Sequence, residues 1–546
     1  MVRAGQKGKV REIVIRELGR GWKITAFGDD GTSFEITPRK ARRNVLPVSQ
    51  AWQKTYRLRG LPGVVYAEPL FSVPLPGEPP ADESREGVLV GEEHLAESND
   101  PDWVLEEMRV FETWQKSFLD PGKLPGNSVV IAHPDTGYRR HPEIRDNLLV
   151  EKGWDFVKQD GDAEDELEGN IVLLRFPGHG TATASVMISP RGAQGNYGED
   201  DPSNNAVSGI APGARIIPLR VSRSVVLWEG STIKLAHAIE YGADQGAHII
   251  SMSLGTAIFS ERLLAAVHYA QKRGVIVLAA AGNYVRFVVW PAAFDEVIGV
   301  AASNARRQVW RHSSRGSKVD VTAPGESVWC AVVEKADGGV RQSVGRSSGT
   351  SFAVAAVAGV AAMWLSWHGR EQLIEQYGAE KIPFIFNEIL RTTCDPIPAA
   401  EPIQFGAGLV NAEKVLGAEL PDSMEHVVAS PAFGLRENPP INNGGLETFA
   451  HLFEQSLSRG EAGRLQRALA ELLRTRPAEV ASRLKEVGQE LAFHLVTNPD
   501  LYDKFEAALS DDSELAGSGD LEQVRQILAG KDISAALQSK IAVSQE

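Results

Sequence analysis

The chain has 546 residues and a formal net charge of −14, which argues against nucleic acid as its main partner. Its length exceeds what one hydrophobic core usually fills, so two or three domains are expected. Two cysteines, Cys330 and Cys394, allow at most one bridge, and both are expected to be buried small hydrophobic residues. The absence of a signal-peptide pattern at the N-terminus and the low cysteine count favour a cytoplasmic location, and we expect no membrane-spanning segment.

Residues 1–75 are predicted to form a small α+β unit. The sequences REIVI, GWKITAF, TSFEIT and VVYAEPLF are typical of short strands, and VSQAWQKTYRLRGL is typical of a helix. Residues 1–60 contain 14 Lys and Arg against 5 Asp and Glu, a balance of +9 that leaves −23 for the rest of the chain. This basic segment either docks on the acidic body or remains a solvated tail.

A linker rich in Pro, Glu and Gly is predicted over residues 76–100, and residues 101–420 follow as an α/β domain. In that domain, continuous apolar runs alternate with helical stretches, which indicates a doubly wound parallel sheet covered on both faces. The runs are SVVIAHPD, ARIIPLRV, AHIISMSLG, VIVLAAAGN and VIGVAAS.

A second linker is predicted over residues 421–444, and residues 445–546 are predicted to be helical. Apolar residues recur there at spacings of three and four, namely Leu465, Leu469, Leu472, Val480, Leu484, Val487, Leu491 and Leu495. Pro477 suits the first turn of a helix. These faces form either the core of a small bundle or a surface for a protein partner.

Three motifs that bear reactive groups follow the predicted strands. Asp135 ends VVIAHPD, His179 opens a helix in GHGTATASVM, and Ser351 opens a long apolar helix in SSGTSFAVAAVAGVAAM. A serine hydroxyl becomes nucleophilic when an adjacent imidazole takes its proton, and a buried carboxylate orients that imidazole. Asn283, at the end of VIVLAAAGN, could donate to the oxyanion that forms. The pattern therefore predicts a serine hydrolase.

The blocks PDTG, GHGT, SMSLG, AAAGN and SGTSFA, in this order, resemble the signature blocks of the subtilases, over about residues 99–416. The resemblance implies a serine endopeptidase with Asp135, His179 and Ser351 as its triad and Asn283 as its oxyanion residue. It also implies that a peptide strand binds between the Val225–Trp228 edge and a second edge. The substrate-binding residues that it implies are Ser253, Leu254, Gly255, Ala280, Ala281 and Gly282.

The sequence departs from the family pattern at several positions. Ala182 replaces a second histidine after GHGT, and Ala355 and Ala356 replace a proline and a histidine after SGTSFA. The chemistry requires no cofactor or catalytic metal. The stretch SNNAVSG is shorter than the calcium loop of the family, which leaves structural calcium in doubt.

The stretch GLPGVVYAEPLF resembles the end of a subtilase propeptide, which implies that residues 1–75 are an inhibitory prosegment; the alternative is a permanently attached domain. The short, bulky YVRFVV segment after Asn283, with Val289 filling space, predicts a pocket for small or medium P1 side chains. Two other functions remain open. One is a catalytically silent peptide-binding module, and the other is an effector protease whose helical C-terminus recruits a partner.

Overall fold

The structure, a computed structural model, divides the chain into two compact units, which are formed by Met1–Phe71 with Arg436–Glu546, and by Ser72–Leu435. The described residues are 1–27, 31–38, 46–69, 100–115, 123–167, 177–190, 207–227, 231–336, 339–397, 402–421, 445–457, 462–510 and 517–541. The two ends of the chain therefore belong to one unit, and the predicted site residues belong to the other. Most of both predicted linkers lies outside the described residues.

The N-terminal part of the first unit contains two helices and a hairpin. Its elements are α1 (Val10–Leu18), β1 (Trp22–Phe27), β2 (Ser33–Pro38) and α2 (Val48–Arg59), and β1 pairs antiparallel with β2. The α+β character, the two strands of the hairpin and the helix over VSQAWQKTYRLRGL are confirmed.

Two of the predicted strands are wrong. REIVI lies inside α1, where Val10 and Val14 are one turn apart and both are buried, so helical spacing prevails over the β-branched composition. In VVYAEPLF, residues 64–69 form no strand and Val64 makes only an isolated bridge to Val2; the last two residues lie outside the described part of the chain.

The second unit is built on a seven-stranded parallel sheet, so the predicted doubly wound fold is confirmed. The strands are β3 (Val130–Asp135), β4 (Trp154–Asp155), β5 (Arg215–Arg220), β6 (Ile249–Met252), β7 (Ile276–Ala280), β8 (Ile298–Ser303) and β9 (Val321–Pro324). Their order across the sheet is β4-β5-β3-β6-β7-β8-β9. Strands β4 and β5 therefore lie on one side of β3, and strands β6 to β9 lie on the other, so the direction of the winding reverses at β3. This reversal opens a crevice at the carboxyl ends of β3 and β6, where doubly wound folds bind ligands.

Ten helices and one hairpin accompany the sheet within the described residues. They are α3 (Trp103–Glu107), α4 (Val110–Gln115), α5 (His179–Ile188), α6 (Ser231–Asp244), α7 (Glu261–Gln271), β10 (Val328–Ala336), β11 (Gly339–Ser347), α8 (Thr350–His368), α9 (Arg370–Tyr377), α10 (Ile382–Thr392), α11 (Pro402–Phe405) and α12 (Ala412–Gly417). Every residue of α8 from Thr350 to Leu365 is buried, including Ala355 and Ala356.

Helix α8 packs against α5 and against strands β6 to β9. Among the described helices, α8 alone is long and apolar enough to cross a membrane, but 89% of its apolar stretch is buried inside the protein. Its composition is therefore that of a central core helix.

The C-terminal part of the first unit is helical, as predicted. Its helices are α13 (Leu446–Leu452), α14 (Ala462–Leu472), α15 (Val480–Thr497), α16 (Pro499–Ser510), α17 (Gly517–Leu528) and α18 (Ala535–Ile541). The predicted apolar faces of α14 and α15 are buried, which confirms them as core. Pro477 begins a short 3-10 turn that leads into α15.

Candidate active site

The predicted reactive groups are brought together at the crevice between β3 and β6. Asp135 is the last residue of β3, His179 is the first of α5, and Ser351 is the second of α8. Ser253 follows the end of β6, and Asn283 lies three residues beyond the end of β7. Because parallel strands end at the same edge of a sheet, residues more than 200 positions apart in the sequence meet here.

Asp135 and His179 are in direct contact. The Nδ1 atom of His179 lies 2.8 Å from Oδ1 of Asp135, and the backbone N–H of Thr136 donates to the same oxygen over 2.6 Å. Both side chains are buried. Burial alone would raise the pKa of Asp135, but the nearby imidazole and its hydrogen bond hold that pKa below its usual range. The carboxylate is thus charged and points at the imidazole.

A buried carboxylate that sequence reasoning missed, Asp165, joins the two loops that carry Asp135 and His179. Its Oδ2 accepts from the hydroxyl of Thr136 at 2.9 Å and from the backbone N–H of Gly178 at 2.8 Å. Burial raises the pKa of Asp165 despite these hydrogen bonds. In the sequence, Asp165 lies in the acidic run DAEDELEG, which offers no sign that one of its members is buried.

The glycine of GHGT has a steric role at this junction. A Cβ on Gly180 would lie 2.1 Å from the carbonyl oxygen of Gly137 and 3.2 Å from Cβ of Asp135. No side chain fits there, so glycine allows the start of α5 to lie directly against the loop after β3.

Ser351 is buried at the start of α8 and is tied to the segment after β6. Its hydroxyl donates to the carbonyl oxygen of Ser253 over 3.3 Å, and the hydroxyl of Ser253 donates back to the carbonyl oxygen of Ser351 over 3.0 Å. The ring of the next residue, Phe352, lies 6.3 Å from the ring of His179, centroid to centroid. The predicted nucleophile is therefore hydrogen-bonded to the predicted substrate edge, and its neighbour Phe352 lies near the predicted base.

Asn283 is oriented by the residue that precedes the predicted nucleophile. Its Oδ1 accepts from the backbone N–H and from the hydroxyl of Thr350, both at 2.9 Å. Oδ1 of Asn283 is thereby anchored at the N-terminus of α8. The sequence suggested Asn283 from its strand-end position, but it gave no sign of the anchoring role of Thr350.

The walls of the predicted P1 pocket are in contact with Val289. A Cβ on Gly255 would lie 2.5 Å from Cγ2 of Val289, and a Cβ on Gly282 would lie 3.1 Å from its Cγ1. The backbone N–H of Val289 donates to the carbonyl of Ala281 over 2.9 Å. Val289, Leu254, Ala280 and Ala281 are all buried. The valine side chain thus occupies space between the two glycines.

The two edges that the resemblance assigned to substrate are paired with each other. The N–H of Gly255 donates to the carbonyl of Val225 over 3.1 Å, and the N–H of Leu227 donates to the carbonyl of Gly255 over 3.0 Å. Trp228 lies outside the described residues. In this structure, the backbone groups of Gly255 are occupied by the chain itself.

His133 packs beside the predicted triad, as expected from its place in β3. It is buried, its Nδ1 lies 3.1 Å from the carbonyl of Ser251, and its Nε2 lies 2.9 Å from the hydroxyl of Thr183. Nε2 is also 3.6 Å from Oδ2 of Asp135. Burial lowers the pKa of His133, which keeps this imidazole neutral.

Among the described residues, no cluster of three or more His, Cys, Asp or Glu side chains is arranged to hold a metal ion. The first four residues of SNNAVSG, the stretch on which the expectation about calcium rested, lie outside those residues. Cys330 and Cys394 are free; the first is buried and the second is half-buried.

These groups, at the switch point of a doubly wound sheet, define a serine hydrolase, and comparison with known proteins specifies the family. The sequence model described as "Subtilase family" matches residues 126–382. Thermitase of Thermoactinomyces vulgaris is 32% identical over 243 residues, which cover 44% of this chain and 76% of that protein. The chain belongs to the subtilase family, and it is a subtilisin-like serine endopeptidase.

Two further relatives extend this comparison. The major intracellular serine protease of Bacillus subtilis (strain 168) is 27% identical over 311 residues, which cover 56% of this chain and 86% of that protein. The crystal structure of fervidolysin from Fervidobacterium pennivorans is similar in fold, with a TM-score of 0.54 and 20% identity over 76% of this chain and 60% of that one. The N-terminal and C-terminal parts lie outside the matched family region.

Proposed function

We propose that the protein hydrolyses internal peptide bonds through an acyl-enzyme on Ser351. The observation that carries this proposal is the 2.8 Å contact between His179 and Asp135, beside Phe352, which directly follows Ser351 in the first turn of a buried helix. His179 accepts the hydroxyl proton as Oγ of Ser351 attacks the substrate carbonyl, and it returns that proton to the leaving amine. Water, activated by the same imidazole, then hydrolyses the ester. Asp135 orients the imidazole and stabilises its charged form.

The oxyanion of each tetrahedral intermediate is stabilised at the start of α8. In this mechanism the Nδ2 group of Asn283 donates to the oxyanion while Thr350 holds Oδ1, and the positive end of the helix dipole adds to the stabilisation. A charge that develops on the substrate oxygen is thereby stabilised by groups that need not reorganise. No metal or organic cofactor is required for these steps, and structural calcium is not part of the proposal.

The preferred substrate is an extended peptide with a small or medium P1 side chain. The contacts of Val289 with the walls at Gly255 and Gly282 support this preference, since its methyl groups limit the depth of the pocket. A substrate strand pairs with Gly255 only after Val225 and Leu227 have moved away from it. Residues 253–255 then form one edge of the binding cleft, and residues 280–282 form the opposite wall.

The mechanism is tested by Ser351→Ala, which is expected to lower kcat on a protein substrate by about 10⁴–10⁶-fold with an unchanged circular dichroism spectrum. A fluorophosphonate should label the wild-type protein at Ser351 and fail to label the variant. Near-normal cleavage by the alanine variant would refute the assignment. Wild-type protein that is neither labelled nor active would instead support the silent peptide-binding module.

We also propose that the enzyme is made as a cytoplasmic zymogen. The +9 balance of residues 1–60 against −23 elsewhere supports an inhibitory N-terminal segment, and the similarity to a relative named an intracellular protease supports the location. Residues 1–71 share a unit with the C-terminal helices, so the inhibitory unit comprises both. N-terminal sequencing of active wild type beside Ser351→Ala tests this; an intact N-terminus in fully active enzyme contradicts it.

The helical C-terminus is a further point of regulation in this proposal. A protein partner that bound residues 445–546 would narrow the substrate set by recruitment. No membrane or nucleic acid is needed.

A further inference from the structure

Helix α2, near the N-terminus, packs into the C-terminal helices through a buried tryptophan. Trp52 is 1% exposed. Its ring lies 6.0 Å from that of Phe493 on α15, at an interplanar angle of 69°, which is the edge-to-face geometry that aromatic pairs prefer. Two other residues of α2, Thr55 and Leu58, are buried as well. This helix face therefore has the character of a protein interior.

A buried carboxylate connects the same two parts of the chain. Glu490 on α15 is fully buried, and it accepts from the N–H of Ser534 at 2.7 Å and from its hydroxyl at 2.6 Å. The hydroxyl of Tyr56 on α2 donates to Oε2 of Glu490 over 2.9 Å. Because a buried carboxylate is costly without donors, Tyr56 of the N-terminal segment stabilises Glu490 by adding a third donor to the two from Ser534.

Further polar contacts join α2 and the segment after it to α15, next to Glu490. Arg59 at the end of α2 donates to the side-chain oxygen of Gln489 and, over 2.7 Å, to the carbonyl of Ala67. The amide of Gln489 donates to Glu68 over 3.3 Å. The interface thus combines an aromatic contact, a buried carboxylate and a peripheral network, and it joins segments that are about 430 residues apart.

We propose that residues 1–71 remain bound to the C-terminal helices after the chain between Phe71 and Asp100 has been cut. The C-terminal helices stay covalently joined to the catalytic unit through residues 422–444. A single cut in the first linker therefore separates the N-terminal segment from the chain without releasing it. The N-terminal segment leaves the catalytic unit only after a second cut, between that unit and α13, or after the contacts of α2 with the C-terminal helices are disrupted. The inference rests on these contacts and does not depend on the proposed activity.

The test uses full-length Ser351→Ala protein, with the recognition sequence of a site-specific protease inserted between residues 76 and 99. After complete cleavage, both fragments are expected to elute together in size-exclusion chromatography at micromolar concentration, in 0.1 M and in 1 M salt. Co-elution in high salt is expected because the central contacts are buried, whereas simple attraction between exposed charges is screened. Separation of the fragments at low salt would overturn the proposal.

Two variants of the cleaved protein identify the contact. Phe493→Ala should weaken retention of the N-terminal fragment at least tenfold, because it removes the ring that Trp52 contacts. Gln53→Ala, at an exposed position of α2, should leave retention unchanged. If the cleaved parent protein and both variants retain the N-terminal fragment equally, or if both variants lose it equally, then contacts other than that between Trp52 and Phe493 hold the fragment. If Phe493→Ala fails to fold, Tyr56→Phe, which deletes only the donor to Glu490, serves in its place.

Discussion

Thr350 anchors Oδ1 of Asn283, and the proposed role of this residue is separable from substrate binding. Because the oxyanion of the proposed mechanism exists only during the reaction, Asn283→Ala is expected to lower kcat by about 10²–10³-fold with little change in KM. Steady-state kinetics on a chromogenic peptide measures both constants. An increase in KM with an unchanged kcat would instead assign Asn283 to ground-state binding.

His141 is a buried histidine whose hydrogen bonds fix it as the neutral form. Its Nε2–H donates to the carbonyl of Ser343 over 3.1 Å, and its Nδ1 accepts from the N–H of Glu143 over 3.2 Å. A proton on Nδ1 would point at the backbone N–H of Glu143, which is itself a donor, so the charged imidazole is disfavoured. Burial accordingly lowers the pKa of His141 to about 4.

This depressed pKa predicts a loss of stability in mild acid. Between the unfolded pKa of ~6.5 and the folded value, the unfolded chain binds the proton that the folded chain rejects, so stability falls as pH falls, by at most ~1.4 kcal/mol per pH unit. His141→Asn should remove that part of the slope in urea unfolding at pH 7, 6 and 5. Asp320, whose pKa desolvation raises to about 6, contributes the opposite slope in both proteins and cancels in the comparison. Identical slopes in the two proteins would contradict the prediction.

At the scale of elements, the proposed P1 preference rests on the segment from Asn283 to Trp290. Val289→Ala is expected to raise kcat/KM for Phe relative to Ala at P1 by roughly tenfold or more, since a methyl-sized change in an apolar pocket is worth about 1–3 kcal/mol. Val288→Ala is the matched control, because Val288 is also buried but supplies none of the atoms nearest to a Cβ on either pocket glycine. A peptide library that shows Phe or Tyr preferred by the wild type would refute the restricted pocket.

The elements that could be predicted from the sequence are those whose pattern is local. Strands β3 and β5 to β8 are continuous apolar runs, and their ends located Asp135 and Asn283. The strand predicted at REIVI was wrong because a short apolar run fits a helix and a strand equally well. Its assignment depends on packing with Val10. Asp165 and the pairing of Gly255 with Val225 depend on loops that meet only in the folded chain, so no local pattern reveals them.

At the scale of the whole molecule, the two compact units have separate interiors, and this predicts two unfolding transitions. Phe493→Ala should lower one transition, and Phe386→Ala, which changes a fully buried residue of α10, should lower the other. Each substitution is expected to cost about 3–5 kcal/mol in its own unit. Differential scanning calorimetry of the Ser351→Ala background measures this without self-digestion. One transition that both variants shift equally would contradict it.

The joining of the two chain ends in one unit was beyond sequence reasoning. The leucine spacing of α15 predicted a buried face but could not say which element covers it, and α2 lies some 430 residues away. The sequence therefore indicated two terminal domains where the structure has one discontinuous unit.

If substrate binds as proposed, the occupied backbone of Gly255 makes substrate recognition an exchange of hydrogen bonds. An incoming peptide that bonds the N–H and carbonyl of Gly255 replaces the bonds to Val225 and Leu227 one for one, so its main chain adds little net affinity there. The choice between peptide substrates consequently depends on the side chains of the peptide. An inhibitor that offers only an extended backbone should bind poorly, whereas one that fills the Val289 pocket retains its full advantage.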